Sequence, residues 1–345
     1  MHMHFPPALM PGDWIGVTAP SSGVPEQLHP RLARAIANLK KRGYRVKEGA
    51  CLRSQYKNKS ADKFARAAEL MAFLTDPEIK TVIPPWGGDL AIELLELLDF
   101  QLLASVEPTW FVGYSDSCTL HLPLTVLAGW GTLHGPNLME LGAAAPDKTT
   151  AVLWNILETP HGNTITQYAS AAFQRGESSW RTDPDAGFSL THSTEWQRLD
   201  GEKRALCFEG RLFGGCLEII SRLAGTPFGN LARFRQRIGD DGLILYFENV
   251  EMQPCEMARA LFSLRLQGWF NNVRGIVIGR SAAPDTRDPN QLAYIDALHS
   301  ALDDVAAPVI YDVDIGHLPP QISLVNGACA SVYFSPDGSS VTQRW

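Results

Sequence analysis

Residues 110–117 read Trp110-Phe111-Val112-Gly113-Tyr114-Ser115-Asp116-Ser117, an apolar segment that runs into a turn of small residues. An apolar segment with helical spacing, 118–127, follows at once, so the sequence predicts a strand, a sharp turn and a helix. A serine at such a turn presents its hydroxyl above the sheet edge, beside an amide at a helix N-terminus. Ser115 is therefore a candidate nucleophile. A Ser-Asp pair that opens a helix is also typical of a plain N-cap, so both interpretations stay open here.

The length and composition are those of a globular protein with two domains. The chain has 345 residues, of which 45% are hydrophobic and 19% are charged, and its formal net charge is −7. A single hydrophobic core rarely serves a chain of this size, so we expect two cores. There is no basic excess to neutralise phosphates, which argues against a nucleic-acid partner. A small molecule or a peptide is the expected substrate.

No stretch of the sequence has the pattern of a targeting signal or a membrane span. Residues 1–7 lack a basic region followed by an apolar one, and no later segment approaches about 20 consecutive apolar residues. We therefore expect a cytoplasmic protein without a membrane partner. The six cysteines show no C-x-x-C spacing, so neither a zinc site nor a disulfide framework is predicted.

Strand-like and helix-like segments alternate along most of the chain, which is typical of an α/β fold. We predict an N-terminal domain over 1–161 and a C-terminal domain over 204–345, with strands at 273–279 and 309–313 in the latter. Residues 162–203 are polar and lack a clear period, and are predicted to be a linker or insertion. Within this segment, Trp180 and Trp196 either pin the loop to the domains or stack on a substrate as part of a lid.

Two other predicted turns carry groups that could take part in chemistry. Gly87 and Gly88 lie between a predicted strand, 79–84, and a predicted helix, 90–98. Their amides could form an oxyanion hole facing the Ser115 turn, because open α/β sheets place their sites at the carboxyl ends of strands. Tight packing at a helix start would also explain two glycines. His134, in a later loop, is either a base or a structural residue.

Three residues with complementary chemistry follow predicted strands in the chain order Ser115, Glu248, His317. A serine hydroxyl is a weak nucleophile at neutral pH and needs an imidazole to accept its proton. The imidazole needs a carboxylate that fixes its tautomer and stabilises the imidazolium. Sequence spacing does not show that these residues meet, so the triad is a hypothesis at this point, with a solvated Glu248 at a strand end as the alternative.

Several motifs, taken in order and spacing, resemble the LD-carboxypeptidase family of serine peptidases, which includes the microcin C self-immunity peptidases. The resemblance covers nearly the whole chain. It implies a flavodoxin-like or class I amidotransferase-like parallel sheet, a smaller C-terminal β/α domain, an active site between them and a homodimer, without metal or cofactor. The motifs are Gly16-Val17-Thr18-Ala19-Pro20-Ser21-Ser22, Trp86-Gly87-Gly88, Gly113-Tyr114-Ser115-Asp116, His134-Gly135-Pro136, Gly214-Gly215, Leu245-Tyr246-Phe247-Glu248 and Gly316-His317.

The resemblance also implies a role for each residue of the site. Ser115 would be the nucleophile, His317 the general base and Glu248 the residue that orients it. The backbone amides of Gly88 and Asp116 would form the oxyanion hole. The expected activity is metal-independent hydrolysis of an amide in murein-type L,D-peptides, through an acyl-enzyme.

The substrate contacts are less closely defined by the resemblance. The family often has Glu-Asp where Glu248-Asn249 stands, and Asn where Cys216 follows Gly-Gly. The Trp-bearing insertion is more similar to the microcin-immunity branch, so cleavage of aminoacyl- or peptidyl-nucleotide amides is an alternative. Substrate contacts are expected from Gly87, Trp180 and Arg259, the last because a basic residue should meet the anionic group of the substrate.

Two further hypotheses come from other functional classes. A two-domain binding protein could use the same cleft without chemistry. Glutamine amidotransfer with Cys118 as nucleophile is disfavoured, because Cys118 falls inside the predicted helix rather than on the turn.

Overall fold

The computed structural model describes residues 2–176 and 178–345. The first part of the chain contains β1 (Trp14–Val17), α1 (His29–Lys41), β2 (Arg45–Glu48), α2 (Lys63–Leu74), β3 (Ile79–Val82), α3 (Phe100–Leu103), β4 (Trp110–Gly113), α4 (Cys118–Pro123), β5 (Thr132–His134) and α5 (Lys148–Glu158). The remainder contains β6 (Thr164–Tyr168), β7 (Ala172–Phe173), β8 (His192–Ser193), β9 (Gln197–Arg198), β10 (Leu206–Cys216), α6 (Leu217–Leu223), α7 (Leu231–Ile238), β11 (Leu243–Glu248), α8 (Pro254–Leu266), β12 (Val273–Gly279), α9 (Tyr294–Leu302), β13 (Val309–Val313), β14 (Leu324–Asn326), β15 (Cys329–Phe334) and β16 (Ser340–Arg344).

The first sheet has six strands in the order β14-β5-β4-β3-β1-β2. Its first five strands in the chain are parallel, and β14 pairs antiparallel with β5. The order β2-β1-β3-β4-β5 is that of a flavodoxin-like sheet, which confirms the predicted fold class. Because β3 and β4 are neighbours, the turns that follow them leave the sheet at the same edge.

Local sequence explains where the helices around this sheet begin. Pro30 stands in the first turn of α1, where a missing N–H costs nothing. Asp62 precedes α2, and its carboxylate accepts hydrogen bonds from the amides of Phe64 and Ala65. Asp147 accepts one from the amide of Thr150 at the start of α5. Such N-caps satisfy amides that have no partner inside the helix.

The second sheet has eight strands in the order β6-β16-β15-β10-β11-β12-β13-β9. The central strands β10 to β13 are parallel, and the outer strands are antiparallel. All six residues of β11 are buried, as expected for a continuous apolar run in a parallel sheet covered on both faces. The end of this strand carries Glu248 into the interior.

Strands cross the domain limits predicted from sequence. The segment 162–203, predicted as a linker, supplies β6 at one edge of the second sheet and β9 at the other. The later strand β14 returns to the first sheet. These strands have two to five residues, too few to show a hydrophobic period. The domain limits 1–161, 162–203 and 204–345 therefore remain a prediction, and the pairing of these three strands does not coincide with them.

One hydrophobic core joins the two sheets. It contains Leu120 and Leu122 of α4 together with Phe213 of β10 and Leu217 of α6, all buried. Burial of large apolar side chains contributes about 1.5–3 kcal/mol each, so separating the sheets would cost a large free energy. The two halves of the site are consequently held together by packing as well as by β14.

In the part of the chain that the structure describes, no helix is long and apolar enough to cross a membrane. The same residues contain no group of three or more His, Cys, Asp or Glu side chains arranged to hold a metal ion. All six cysteines are free thiols.

Candidate active site

Ser115 lies on the turn between β4 and a short 3-10 segment, Ser115–Ser117, that leads into α4. Its φ is +62°, in the left-handed region, where a non-glycine residue typically costs about 1–3 kcal/mol. Gly113, two residues earlier, has φ +136°. A strained serine between a strand and a helix, with its side chain partly exposed, has the geometry of a nucleophile elbow.

The loop after β3 packs directly against this turn. A Cβ on Gly87 would lie 2.7 Å from the amide nitrogen of Asp116 and 2.8 Å from Ser115 Oγ. Gly88 has φ +133°, and a Cβ there would collide with the side chains of Ser21 and Ser22. Only glycine lets the loop approach so closely. Among residues 2–176 and 178–345, the Gly88 and Asp116 amides form no hydrogen bond, so both are free to donate to an oxyanion.

The Asp116 side chain holds these elements together, a role that the sequence reasoning did not identify. Its carboxylate is buried and accepts hydrogen bonds from Ser21 Oγ at 2.5 Å, the Ala91 amide at 2.8 Å and Thr119 Oγ1 at 2.9 Å. It thereby connects the Ser115 turn to the loops after β1 and β3.

Residues 91–94 form a 3-10 turn, so the helix predicted over 90–98 is wrong.

His317 and Glu248 form a hydrogen-bonded pair at the end of β11. His317 Nδ1 lies 2.8 Å from Glu248 Oε2, and the Glu248 side chain is completely buried. Gly316 has φ +98°, and a Cβ on it would lie 2.5 Å from Glu248 Oε2. A larger residue before His317 would therefore displace the carboxylate. With Nδ1 engaged, Nε2 is left as the basic atom.

Each member of the pair changes the pKa of the other. Burial raises the pKa of Glu248, but the charge and hydrogen bond of His317 outweigh burial and bring it below the usual value. Burial lowers the pKa of His317, but the Glu248 carboxylate outweighs it and raises the pKa above the usual value. The pair therefore favours the imidazolium form, which is the form that appears after a base accepts a proton.

Tyr114 places the imidazole beside the Ser115 turn. Its ring centroid is 4.8 Å from that of His317, and its hydroxyl donates to Glu140 Oε1 at 3.1 Å. Burial raises the pKa of Glu140 to about 7. No hydrogen bond between Ser115 Oγ and His317 occurs among the described residues. In serine hydrolases this contact often tightens only when substrate binds.

Glu218 is a second residue that the sequence reasoning missed. It lies on α6 with its side chain buried, and Oε1 accepts the amides of Val250, Glu251 and Met252 at 2.9, 2.9 and 3.3 Å. These amides belong to the loop directly after Glu248. The Glu218 carboxylate also raises the pKa of His317. It lies two positions after the motif Gly214-Gly215-Cys216, a signal that could have drawn attention to it.

The tryptophans of the polar segment are packed into the protein. The guanidinium carbon of Arg31 lies 4.6 Å from the ring centroid of Trp180, and Arg31 donates to the carbonyls of Pro184 and Ala186. Trp196 is buried, and its Nε1 donates to Asp314 Oδ2 at 2.8 Å. Both contacts pin the segment to the domains. Trp180 stays half-buried, so part of its surface is open to a ligand.

Three other candidates are not brought into the Ser115 site as reactive groups. Arg259 is exposed on α8 and forms no ion pair within the described part of the chain. His134 is buried, and burial lowers its pKa to about 4, so it is neutral. Cys118 is buried beneath β10, where burial raises the pKa of its thiol and the amide of Cys216 donates to its sulfur at 3.2 Å. A thiol in this position is a poor nucleophile.

The fold and the site together define a class of protein. It is a two-domain α/β protein that contains the three side chains that serine hydrolases use, with the serine on one sheet and the imidazole–carboxylate pair on the other. The comparison with protein families identifies the particular group. Residues 15–135 match the LD-carboxypeptidase N-terminal domain and residues 209–332 match the LD-carboxypeptidase C-terminal domain. The chain belongs to the LD-carboxypeptidase family, as the sequence motifs predicted.

Individual relatives include both branches of the family. The chain is 28% identical over 330 residues to a "probable murein peptide carboxypeptidase" of Bacillus subtilis, with 95% of this chain and 91% of the relative covered. It is 23% identical over 337 residues to the microcin C7 self-immunity protein MccF of Escherichia coli, covering 97% and 94%.

Solved structures show the same fold. MccF in its apo state superimposes with a TM-score of 0.83 at 21% identity, covering 100% of this chain and 99% of the other. A muramoyltetrapeptide carboxypeptidase from Oxalobacter formigenes gives a TM-score of 0.73 at 22% identity, covering 96% and 99%. MccF has also been solved in complex with aspartyl sulfamoyl adenosine.

Proposed function

We propose that this protein is a metal-independent serine peptidase that hydrolyses an amide next to a free carboxylate, with Ser115, His317 and Glu248 as its triad. The observation that supports this most directly is the 2.8 Å hydrogen bond between buried Glu248 and His317, next to a serine held at φ +62°. A serine held at a positive φ beside an oriented imidazole is the arrangement that nucleophilic catalysis requires, and strained residues cluster at functional sites.

The first half of the reaction forms an acyl-enzyme. Ser115 Oγ attacks the amide carbon while His317 Nε2 accepts the hydroxyl proton, and Glu248 stabilises the resulting imidazolium. The backbone amides of Gly88 and Asp116 donate hydrogen bonds that stabilise the negative charge on the carbonyl oxygen. His317 then donates its proton to the leaving nitrogen, and the C–N bond breaks.

The second half hydrolyses the ester. His317, neutral again, accepts a proton from water, whose oxygen attacks the acyl carbon. The tetrahedral intermediate collapses when Ser115 Oγ leaves and regains its proton from His317. Glu248 remains ionised throughout, which is consistent with its lowered pKa.

A murein-type L,D-peptide is the substrate class that we propose. Family membership and the similarity to the B. subtilis relative support it. Aminoacyl- or peptidyl-nucleotide amides are the second candidate, because the segment that carries Trp180 leaves part of an aromatic surface open to a nucleobase. We expect substrate contacts from Gly87 and Trp180, whereas Arg259 remains a candidate for the anion without a supporting contact.

Mass spectrometry of reaction mixtures separates these functions. Wild type, Ser115→Ala and Ser117→Ala are each incubated with a murein tetrapeptide and, separately, with aspartyl sulfamoyl adenosine. Ser117 is the matched control, since it lies on the same turn and its buried hydroxyl forms no hydrogen bond with any residue that the structure describes. We expect wild type and Ser117→Ala to release D-Ala, and Ser115→Ala to lose activity by a factor on the order of 10⁶.

Other outcomes would change the assignment. Cleavage of the adenosine compound alone would favour the second candidate function, hydrolysis of aminoacyl- or peptidyl-nucleotide amides. Binding of either compound by wild type without any cleavage would favour a non-catalytic binding protein. We also propose a homodimer, which the family resemblance implies, and a cytoplasmic location, which the sequence pattern led us to expect. Light scattering after gel filtration tests the dimer.

A further inference from the structure

A cavity of about 470 Å³ lies at the carboxyl ends of β11, β12 and β13. Its lining residues all fall within 173–312, so the Ser115 turn takes no part in it. It nevertheless borders the loops that carry the imidazole–carboxylate pair. Asn249 follows Glu248 directly, and Arg280 donates to the carbonyls of Leu318 and Pro320 at 3.1 Å each. The carboxyl edge of parallel strands is where open α/β sheets bind ligands.

Most charged side chains around this cavity already have a partner. Arg280 is paired at 2.8 Å with the buried carboxylate of Asp314. Asp285 Oδ1 accepts two backbone amides, and Glu195 lies at the exposed rim, 3.5 Å from Lys203. The full set of charged residues in the lining is Arg175, Glu195, Arg280, Asp285 and Asp312.

Asp312 differs from the other members of this set. Its carboxylate forms no hydrogen bond and no ion pair within residues 2–176 and 178–345. Its φ is +57°, a left-handed conformation that typically costs an aspartate about 1–3 kcal/mol. Burial raises its pKa to about 6, although Arg280 and Arg175 oppose the rise. A half-buried carboxylate without a protein partner, held at a positive φ on the wall of a cavity, is a candidate ligand-binding group.

The uncharged part of the wall is mixed: Ser193, Gln197, Asn249 and Ser281 are polar, and a group of methionine and aromatic side chains is apolar. The apolar part of the lining consists mainly of Met252, Met257, Phe173 and Tyr294, together with Pro254 at the start of α8. Methionine and aromatic side chains suit an unbranched hydrocarbon stem. Asp314 neutralises Arg280, and Lys203 pairs with Glu195. Two carboxylates of the lining, Asp285 and Asp312, then remain against Arg175, the one cation of the lining without an ion pair among the described residues, and this charge balance favours a cationic ligand.

We propose that this cavity binds an aliphatic primary ammonium group, with its nitrogen on the Asp312 carboxylate and its carbon chain against Met252 and Met257. The ammonium belongs either to a free alkylamine or to an amino side chain carried by a peptide. The inference does not rest on the proposed peptidase function, because the cavity is separate from Ser115 and binding is measured without turnover.

Calorimetric titration tests the chemistry of the ligand. Wild-type protein is titrated with n-pentylamine at pH 7.5, and with 1-pentanol as the uncharged probe of the same length. We expect saturable binding of the amine alone. Equal binding of both probes, or no binding of the amine, would overturn the proposal. Nα-acetyl-L-lysine amide identifies the source: tighter binding than pentylamine indicates a peptide-borne group, and weaker binding a free amine.

Three variants test the residues. Asp312→Asn should weaken amine binding by about tenfold to a hundredfold, because a hydrogen bond to a charged group is lost. Arg175→Ala removes an exposed like charge from the cavity and should tighten binding by about twofold to fivefold without affecting folding. Asp337→Asn, an exposed carboxylate in the β15–β16 turn, should bind as wild type does. Weaker binding by Arg175→Ala would show an anion site instead and refute the inference.

Discussion

Replacing Gly87 by alanine should stop catalysis in a protein that still folds. Gly87 does not have a positive φ, so its backbone accommodates alanine without strain. The new methyl group, however, would lie 2.8 Å from Ser115 Oγ and 2.7 Å from the Asp116 amide nitrogen. Both contacts are shorter than a methyl group tolerates. The hydroxyl must therefore move, and the amide is covered from the side that faces the loop after β3.

The size of the effect follows from two losses. One oxyanion donor contributes about 10²–10³ in kcat, and displacing a reacting group by about 1 Å costs roughly another 10². We expect kcat/KM to fall by about 10³ to 10⁵. Overpacking of one methyl group costs about 1–3 kcal/mol of the free energy of unfolding, which a protein of this size can tolerate.

The assay measures D-Ala release, with thermal unfolding as the check on folding. Gly225→Ala is the matched control, since its φ is also not positive and its methyl would meet only Gln267 Oε1, at 3.3 Å. The control should keep wild-type activity. A folded Gly87→Ala protein whose kcat/KM stays within tenfold of wild type would refute the placement of the oxyanion hole at this loop.

Three other variants test the surroundings of the imidazole. Glu248→Gln should lower kcat about 10⁴-fold. It should also shift the acidic limb of the pH profile of kcat/KM to lower pH, because the carboxylate that raises the pKa of His317 is gone. An unshifted acidic limb would contradict the pairing of Glu248 with His317. Glu218→Gln should reduce kcat by about tenfold and shift the same limb in the same direction, whereas a purely structural role would lower only the melting temperature. Glu140 has a folded-state pKa of about 7, above its unfolded value, so the protonated carboxyl stabilises the folded state. The free energy of unfolding should therefore fall as pH rises from 4.5 to 7, by roughly 3 kcal/mol at most. Urea titrations of wild type and Glu140→Gln at several pH values should show that decline in wild type alone.

The buried parallel strands were predictable because burial on both faces leaves a plain signal. Strands β12 and β13 have the predicted limits, 273–279 and 309–313. Each is a short run of mainly apolar residues, which can pack only inside a covered sheet. The turns after β4 and β11 were predictable for the same reason, because a polar residue that ends a buried apolar run marks the end of a strand at the sheet edge. Ser115 and Glu248 were located in this way.

Interactions between distant segments could not be predicted. The carboxylates of Asp116 and Glu218 bind amides and hydroxyls that are brought near only by the fold. Gly214 looks like a turn residue in sequence but lies inside β10, where a Cβ would collide with the carbonyl of Tyr246 on the neighbouring strand. A glycine required by close packing and one required by a turn are identical in a single sequence.

The path of the chain around His317 explains how an imidazole from one sheet lies near the Ser115 turn of the other. The loop that carries His317 begins at β13 in the second sheet, where Asp314 is fixed by Arg280 and Trp196. It ends at β14, which pairs with β5 of the first sheet, the neighbour of the strand that presents Ser115. Both ends of the loop are therefore anchored by hydrogen bonds, one in each sheet, and a shared core lies between the sheets. The family resemblance implies an active site between two domains. Because the loop itself crosses between the sheets, the distance between serine and imidazole is set by strand pairing and needs no hinge.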